Sequence, residues 1–209
     1  AKMVAYLRNN TGKPANSGIT PPGLPSFNPV EVPGYTYDPE LAKTFLAKSV
    51  YKGEEIKLLT SKEYEGMTLS MVKQWQDIGV NIIQEVVDAS YLRDLKSRKE
   101  AAFFRASWIA DYPDAESYFS MFYSEYGTPP NYTSFNNEEF DALYELSLKE
   151  NDSERIKALY QQMDQIIIEE APVIPIYYDE VLRLKQKGIK GLQANAMNFL
   201  DLTRVQLPD

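Results

Sequence analysis

Cysteine and histidine are both absent from the 209-residue chain. Their absence removes zinc sites built on thiolate or imidazole, iron–sulfur clusters, histidine-ligated haem, cysteine nucleophiles and Ser-His-Asp triads together. It also removes any disulfide scaffold, which is compatible with export as much as with a reducing compartment. Positive charge is in short supply: 22 Lys and Arg stand against 30 Asp and Glu, a formal net charge of −8. With no basic cluster of more than a few residues, nucleic acid is not an expected partner. No apolar run is long enough to span a bilayer, and the N-terminus is not signal-like. The chain opens on Ala1 without a Met, which reads as a processed or cut product. A removed signal peptide would leave the compartment open, so this decides little. Internal repeats and low-complexity stretches are missing too.

What remains is ordinary globular composition, 44% hydrophobic and 25% charged, in a chain long enough for one or two domains. Residues 1–9 read as a short helix with Met3, Val4 and Leu7 on one face. Residues 11–37 hold 6 of the 13 prolines and 4 of the 10 glycines, which forbids a regular helix or central strand. An ordered, PPII-like strap is expected there, anchored by Phe27, Tyr35 and Tyr37. Asp38-Pro39-Glu40 starts a helix with Leu41, Ala42, Phe45 and Leu46 as its apolar face. A strand at 55–59, a helix at 64–78 closed by Gly79, a strand at 80–87, a helix at 90–97 and a central strand at 102–109 follow. That alternation predicts an α/β layer with a largely parallel sheet. Asn136 and Glu139 resemble a capping box for a helix over 137–149 that carries Phe140, Leu143 and Leu146 inward. Asn151-Asp152-Ser153-Glu154 opens the longest helix, with Ile156, Leu159, Tyr160, Met163, Ile166 and Ile167 as a stripe and Pro172 as its stop. A strand over 173–184 and a weakly patterned tail, with a candidate strand at 200–205, complete the chain.

Function is placed at the turn between the strand at 102–109 and the helix that starts near Asp114. The turn gathers a cation, Arg105, an indole, Trp108, and two carboxylates, Asp111 and Asp114, with Pro113 fixing the backbone between them. Strand ends in an open α/β sheet face the crevice where ligands bind. On a regular strand Arg105 and Asp111 would share a face about 20 Å apart or less, a span that suits the two ends of a zwitterion. A carboxylate for an ammonium, a guanidinium for a carboxylate and an aromatic wall between them make a peptide-sized site. The plainer alternative stays open: Arg105 pairs a structural acid, Trp108 is core, and Asp111 caps the next helix.

The run Arg105-x-x-Trp108-x-x-Asp111-Tyr112-Pro113-Asp114 resembles the C-terminal lobe of the family 5 solute-binding proteins, the extracytoplasmic dipeptide, oligopeptide and nickel receptors of ABC importers. Four further stretches agree in order: Gly34-Tyr35-x-Tyr37-Asp38-Pro39-Glu40-x-Ala42, Trp75-Gln76-x-Ile78-Gly79-Val80, Phe140-Asp141-x-Leu143, and Arg155-x-x-x-Leu159-Tyr160 leading to residues 171–178. The resemblance implies an α/β, type II periplasmic-binding-protein-like lobe with a mixed, mostly parallel sheet flanked by helices. It implies one lobe over residues 1–209, the strap at 11–37 included, with the N-terminal lobe absent from the chain. Such receptors enclose their ligand between two lobes. By the motif match Asp111 receives a peptide α-ammonium, Arg105 meets a carboxylate and Trp108 lines a side-chain pocket, while Tyr112, Tyr177 and Tyr178 fall near the cleft or hinge. The implied partners are a peptide ligand, the permease subunits of an ABC importer and the protein's own N-terminal lobe, in the periplasm or at the cell surface. Membrane contact would come through the importer or a lipid anchor, and no cofactor is implied.

Two other classes compete. Asp111 and Asp114 could serve as a carboxylate dyad of a hydrolase, but no histidine, metal or activated nucleophile supports them. Asp111, Asp114 and Glu116 could offer oxygens to a hard cation, but no Asp-x-Asp-x-Asp-Gly loop is present. Within the family, an oligosaccharide receptor would replace charge by aromatic stacking, which 15 tyrosines keep open. Retention of both Arg105 and Asp111 favours a zwitterion.

Overall fold

The computed structural model describes residues 2–193 and 199–208. In chain order the elements are α1 (Lys2–Leu7), β1 (Lys13–Pro14), α2 (Pro39–Lys48), β2 (Ile56–Ser61), α3 (Glu65–Asp77), β3 (Ile82–Val87) and α4 (Ala89–Ser97). The second half adds α5 (Glu116–Phe119), α6 (Glu138–Ser147), α7 (Ser153–Glu170) and β4 (Tyr177–Tyr178). These elements pack as two compact units. The first comprises Ala1–Gly34, Trp108–Ser120 and Glu138–Asp209, and the second Tyr35–Ser107 and Met121–Asn137.

The second unit is an α/β layer. β2 and β3 pair in parallel with Ile56 opposite Ile82 and Ser61 opposite Val87. Successive strand residues point to opposite faces. Leu58 accordingly joins Val72 of α3 and Ile82 in one core, while its neighbour Leu59 joins Leu92 and Leu95 of α4 in another. Gly79, at φ 99°, turns the chain out of α3 in a conformation that disfavours any side chain. The predicted strand at 102–109 is much shorter. Leu59 N–H donates to the Phe103 carbonyl at 3.0 Å and Arg105 N–H to the Leu59 carbonyl at 2.9 Å, giving a single parallel bridge at Phe104. Beyond Arg105 the chain leaves the ladder. α2 forms where its cap predicts, with Asp38 Oδ1 accepting the Leu41 N–H at 2.9 Å. Two of its apolar positions are not covered: Leu41 is 50% and Phe45 64% exposed.

The first unit is built on aromatic packing. Phe119, Phe140, Tyr144, Met163 and Ile167 are fully buried, and the Phe119 ring lies 6.3 Å from Phe140 and 5.2 Å from Tyr160. α7 starts at Asp152, whose Oδ1 accepts from Glu154 and Arg155 N–H, and ends at Ala171 in the left-handed conformation before Pro172. The strand expected over 173–184 reduces to Tyr177–Tyr178, antiparallel to Lys13–Pro14, with Pro175, which lacks a donor, just ahead of it. The strand expected at 200–205 is not formed; an isolated bridge joins Lys190 to Gln206 instead. Leu146, expected inward, is 51% exposed.

The strap is well anchored within this unit. Asp164 on α7, 3% exposed, accepts the Ile19 N–H at 2.6 Å and the Thr20 N–H at 3.3 Å. Gly18 lies so close to that carboxylate that a Cβ would have no room. Ser17 Oγ donates to the Val32 carbonyl at 2.7 Å, and Gly34 N–H to the Asn16 carbonyl at 3.0 Å.

Candidate functional site

The turn leading into α5 is held from behind by Ser117. This residue is buried, and its Oγ accepts the Asp111 N–H at 3.0 Å and the Trp108 Nε1–H at 3.5 Å. Asp111, Tyr112 and Pro113 stand exposed on the outside of the turn, with Tyr112 46% exposed and Ile109 77%. Trp108 is half-buried. No side chain at the N-cap position closes α5, so Asp111 is not a helix cap. Asp114, two residues ahead of the helix, accepts the Glu116 N–H with its Oδ1 at 2.9 Å and the Tyr160 hydroxyl proton at 2.8 Å. Burial, and then the Asp114 carboxylate, raise the Tyr160 phenol well above its ordinary range, so it stays a donor. Tyr144 donates its hydroxyl to Glu116 in the same way.

Arg105 belongs to the second unit. Its guanidinium lies 3.1 Å from the centroid of the Tyr64 ring, and Nη1 donates to Ser107 Oγ at 3.3 Å. A shared face for Arg105 and Asp111 needs a regular strand through both, and pairing stops at Arg105. Tyr178 lies inside packing: it is 8% exposed, its hydroxyl donates to the Gly18 carbonyl at 2.8 Å, and its ring meets Phe27 edge-on at 5.8 Å. It therefore anchors the strap.

Sequence reading misses Ser117, Tyr144 and Tyr160 as supports of the turn. The two tyrosines do carry a signal, since a buried phenol on an apolar helix stripe needs an acceptor. Ser117 carries none, because its partners are set by the turn itself. An open hollow of about 360 Å³ lies at the C-terminal ends of β2 and β3, lined by Ser61, Lys62, Glu63 and Val86 to Ala89. Another, of about 440 Å³, has Leu59, Leu95 and Phe103 among its walls. Neither is lined by Arg105, Trp108 or Asp111. Among the described residues no group of three or more acidic side chains is placed to hold a metal ion, and no helix is long and apolar enough to cross a membrane.

Comparison with known proteins adds a second line. Residues 1–130 match the family model described as bacterial extracellular solute-binding proteins, family 5 Middle. The dipeptide-binding protein DppE of Bacillus subtilis (strain 168) is 26% identical over 216 residues, covering 96% of this chain and 39% of its own length. The periplasmic oligopeptide-binding protein OppA of Escherichia coli (strain K12) is 28% identical over 160 residues, covering 73% of this chain and 29% of its own. A solved dipeptide binding protein from Pseudoalteromonas sp. SM9913, in complex with Met-Leu, superposes with a TM-score of 0.79 at 23% identity over 98% of this chain and 42% of that one. This chain thus spans well under half the length of these relatives. The structural likeness shows the fold, α/β and periplasmic-binding-protein-like of type II, as the sequence motifs imply. With the family model matched over more than half of its residues, the chain belongs to the family 5 bacterial extracellular solute-binding proteins.

Proposed function

We propose that this chain is part of a non-enzymatic, extracytoplasmic receptor that binds peptides and delivers them to an ABC importer. The observation that carries the reading is the braced turn: Ser117 fixes the backbone at Asp111 through its N–H, which leaves the carboxylate exposed on a rigid support. A pre-positioned carboxylate loses little entropy when it receives an α-ammonium. In this reading Asp111 receives that ammonium, and Trp108 and Tyr112 offer aromatic surface to side chains. Support comes from the names of the relatives, which are dipeptide-binding and oligopeptide-binding proteins. No reacting group needs to be assigned, since binding and release suffice.

Mass spectrometry of the small molecules that co-purify with the protein tests the class. Peptides are expected, whereas a sugar would replace this reading by an oligosaccharide receptor. Calorimetry with a tripeptide then tests the residue. Asp111→Ala is expected to weaken binding by roughly 1.5–3 kcal/mol, the scale of a hydrogen bond to a charged group. Unchanged affinity would remove Asp111 from the site.

A further inference from the structure

Lys96, on the last turn of α4, is half-buried between two aromatic rings. Its Nζ lies 5.5 Å from the centroid of Phe104 and 5.0 Å from that of Tyr132. Ring faces attract an ammonium, but they offer its three N–H donors no oxygen of their own. Among the described residues no carboxylate lies within ion-pair distance of Lys96 and no hydrogen-bond acceptor serves it. Arg93 and Arg105, both positive, act on its amine. Burial first, and those two cations next, hold its amine below the usual lysine range.

This is unusual for a chain with 30 acidic residues against 22 basic ones. More exposed lysines find acids with ease: Lys57 pairs Glu85 and Lys13 pairs Glu180, each at 3.2 Å. A half-buried ammonium beside two arginines sits in positive potential that favours an anion joining it. Phe104 and Tyr132 wall the spot, and Arg105, one residue on from Phe104, adds positive potential. We propose that Lys96, with Arg105, forms an anion-binding subsite that takes an acidic side chain of the bound peptide. The subsite makes the receptor select peptides carrying Glu or Asp over their amide counterparts; this rests on the peptide reading above.

Two measurements separate the proposal from that reading. In the first, succinate is titrated into the chain and the Lys96 side-chain resonances are followed by NMR. A saturable shift is expected, and its absence would overturn the anion site whatever peptides do. In the second, calorimetry compares Ala-Glu-Ala with Ala-Gln-Ala. The Glu peptide is expected to bind about tenfold tighter, the scale of one partly buried charge-assisted hydrogen bond. The ratio should fall to about one in Lys96→Met, which keeps the apolar stem, and persist in Lys96→Arg. Equal affinities for the pair in the wild-type protein would end the proposal and leave the peptide reading intact. If neither peptide binds while succinate still saturates at Lys96, the anion site stands and the peptide reading falls.

Discussion

Two irregular segments of this chain, each rich in proline and small polar residues, are each held in part by a buried polar side chain, and by opposite means. The strap at 11–34 is held by Asp164, a carboxylate 145 residues distant in sequence, through the N–H groups of Ile19 and Thr20. The loop Met121–Asn137 is held from within by Asn131, equally buried. Its Nδ2 donates to the Tyr123 carbonyl at 3.3 Å and to the Phe135 carbonyl at 2.9 Å, while its Oδ1 accepts the Phe135 N–H at 3.1 Å. A neutral amide both donates and accepts, so one side chain can close a short loop on itself. A carboxylate only accepts, but it binds paired N–H groups more strongly and can hold a remote segment. The first device makes a loop self-sufficient. The second makes a loop depend on the helix that carries the acid, and on pH.

The largest expected effect follows from breaking the remote anchor. Asp164→Ala leaves the Ile19 and Thr20 N–H groups unpaired against Gly18, and should destabilise the protein by about 3 kcal/mol at pH 7, read by denaturant unfolding. Proteolytic nicking should move into residues 11–34 and spare 121–137. Burial pushes the Asp164 carboxyl up to about 6, with the bonds from Thr20 and Ile19 offsetting that rise only in part. The folded chain therefore takes up a proton near pH 6 that the unfolded chain refuses until about pH 4. This group's contribution is least favourable above pH 6 and improves as pH falls toward 4, by on the order of 2–3 kcal/mol. The difference in stability between the wild-type protein and Asp164→Asn, measured from pH 7 to pH 4, should show that slope. A flat difference would mean that the carboxylate is better solvated than its position in the packing indicates.

How much of this the sequence discloses depends on whether the deciding partner is local. Along α7 the arc of Tyr160, Met163, Asp164 and Ile167 follows helical spacing, so an acid on a buried face is legible, but not that its donors come from residues 19 and 20. Helix starts with a side-chain cap, at Asp38 and Asp152, are visible in the sequence because cap and helix are neighbours. Strand lengths are not. Residues 102–109 have the apolar run of a buried strand, yet pairing at Phe104 depends on a partner over forty residues away and ends after one bridge. The same limit applies to the site: the exposed turn at 108–114 can be read from Pro113 and its flanking acids, whereas the Ser117 brace behind it cannot. Tyr178 shows the limit most plainly, since its bond to the Gly18 carbonyl joins residues 160 apart in sequence.

Cutting the self-contained anchor should cost less. Asn131→Ala removes two donors and one acceptor inside one loop, and about 2 kcal/mol is expected, because part of the freed backbone can turn to water. The nicking pattern should reverse, with cuts in 121–137 and none in 11–34. Asn131→Asp sharpens the contrast. A carboxylate at that position cannot donate to the Tyr123 and Phe135 carbonyls, so it should be no better than Ala at neutral pH. A rescue by Asp would show that acceptance alone orders this loop, and the distinction between the two devices would collapse.

The smallest effect tests whether the strap has a second, neutral hold. Tyr178 donates to the carbonyl of Gly18, the residue just before the N–H groups that Asp164 receives. Burial is the main reason its phenol is raised above the ordinary range, with the Asp164 charge adding to it, so the hydroxyl remains a donor at any pH where the fold survives. Tyr178→Phe keeps the edge-on contact with Phe27 and loses one neutral hydrogen bond, for about 1 kcal/mol with no pH slope of its own. In the double variant Asp164→Ala/Tyr178→Phe the two costs should sum to less than their separate values, since both hold the same three residues of backbone. Strict additivity would mean that the two side chains secure independent parts of the strap, and its dependence on pH would then be confined to residues 19 and 20.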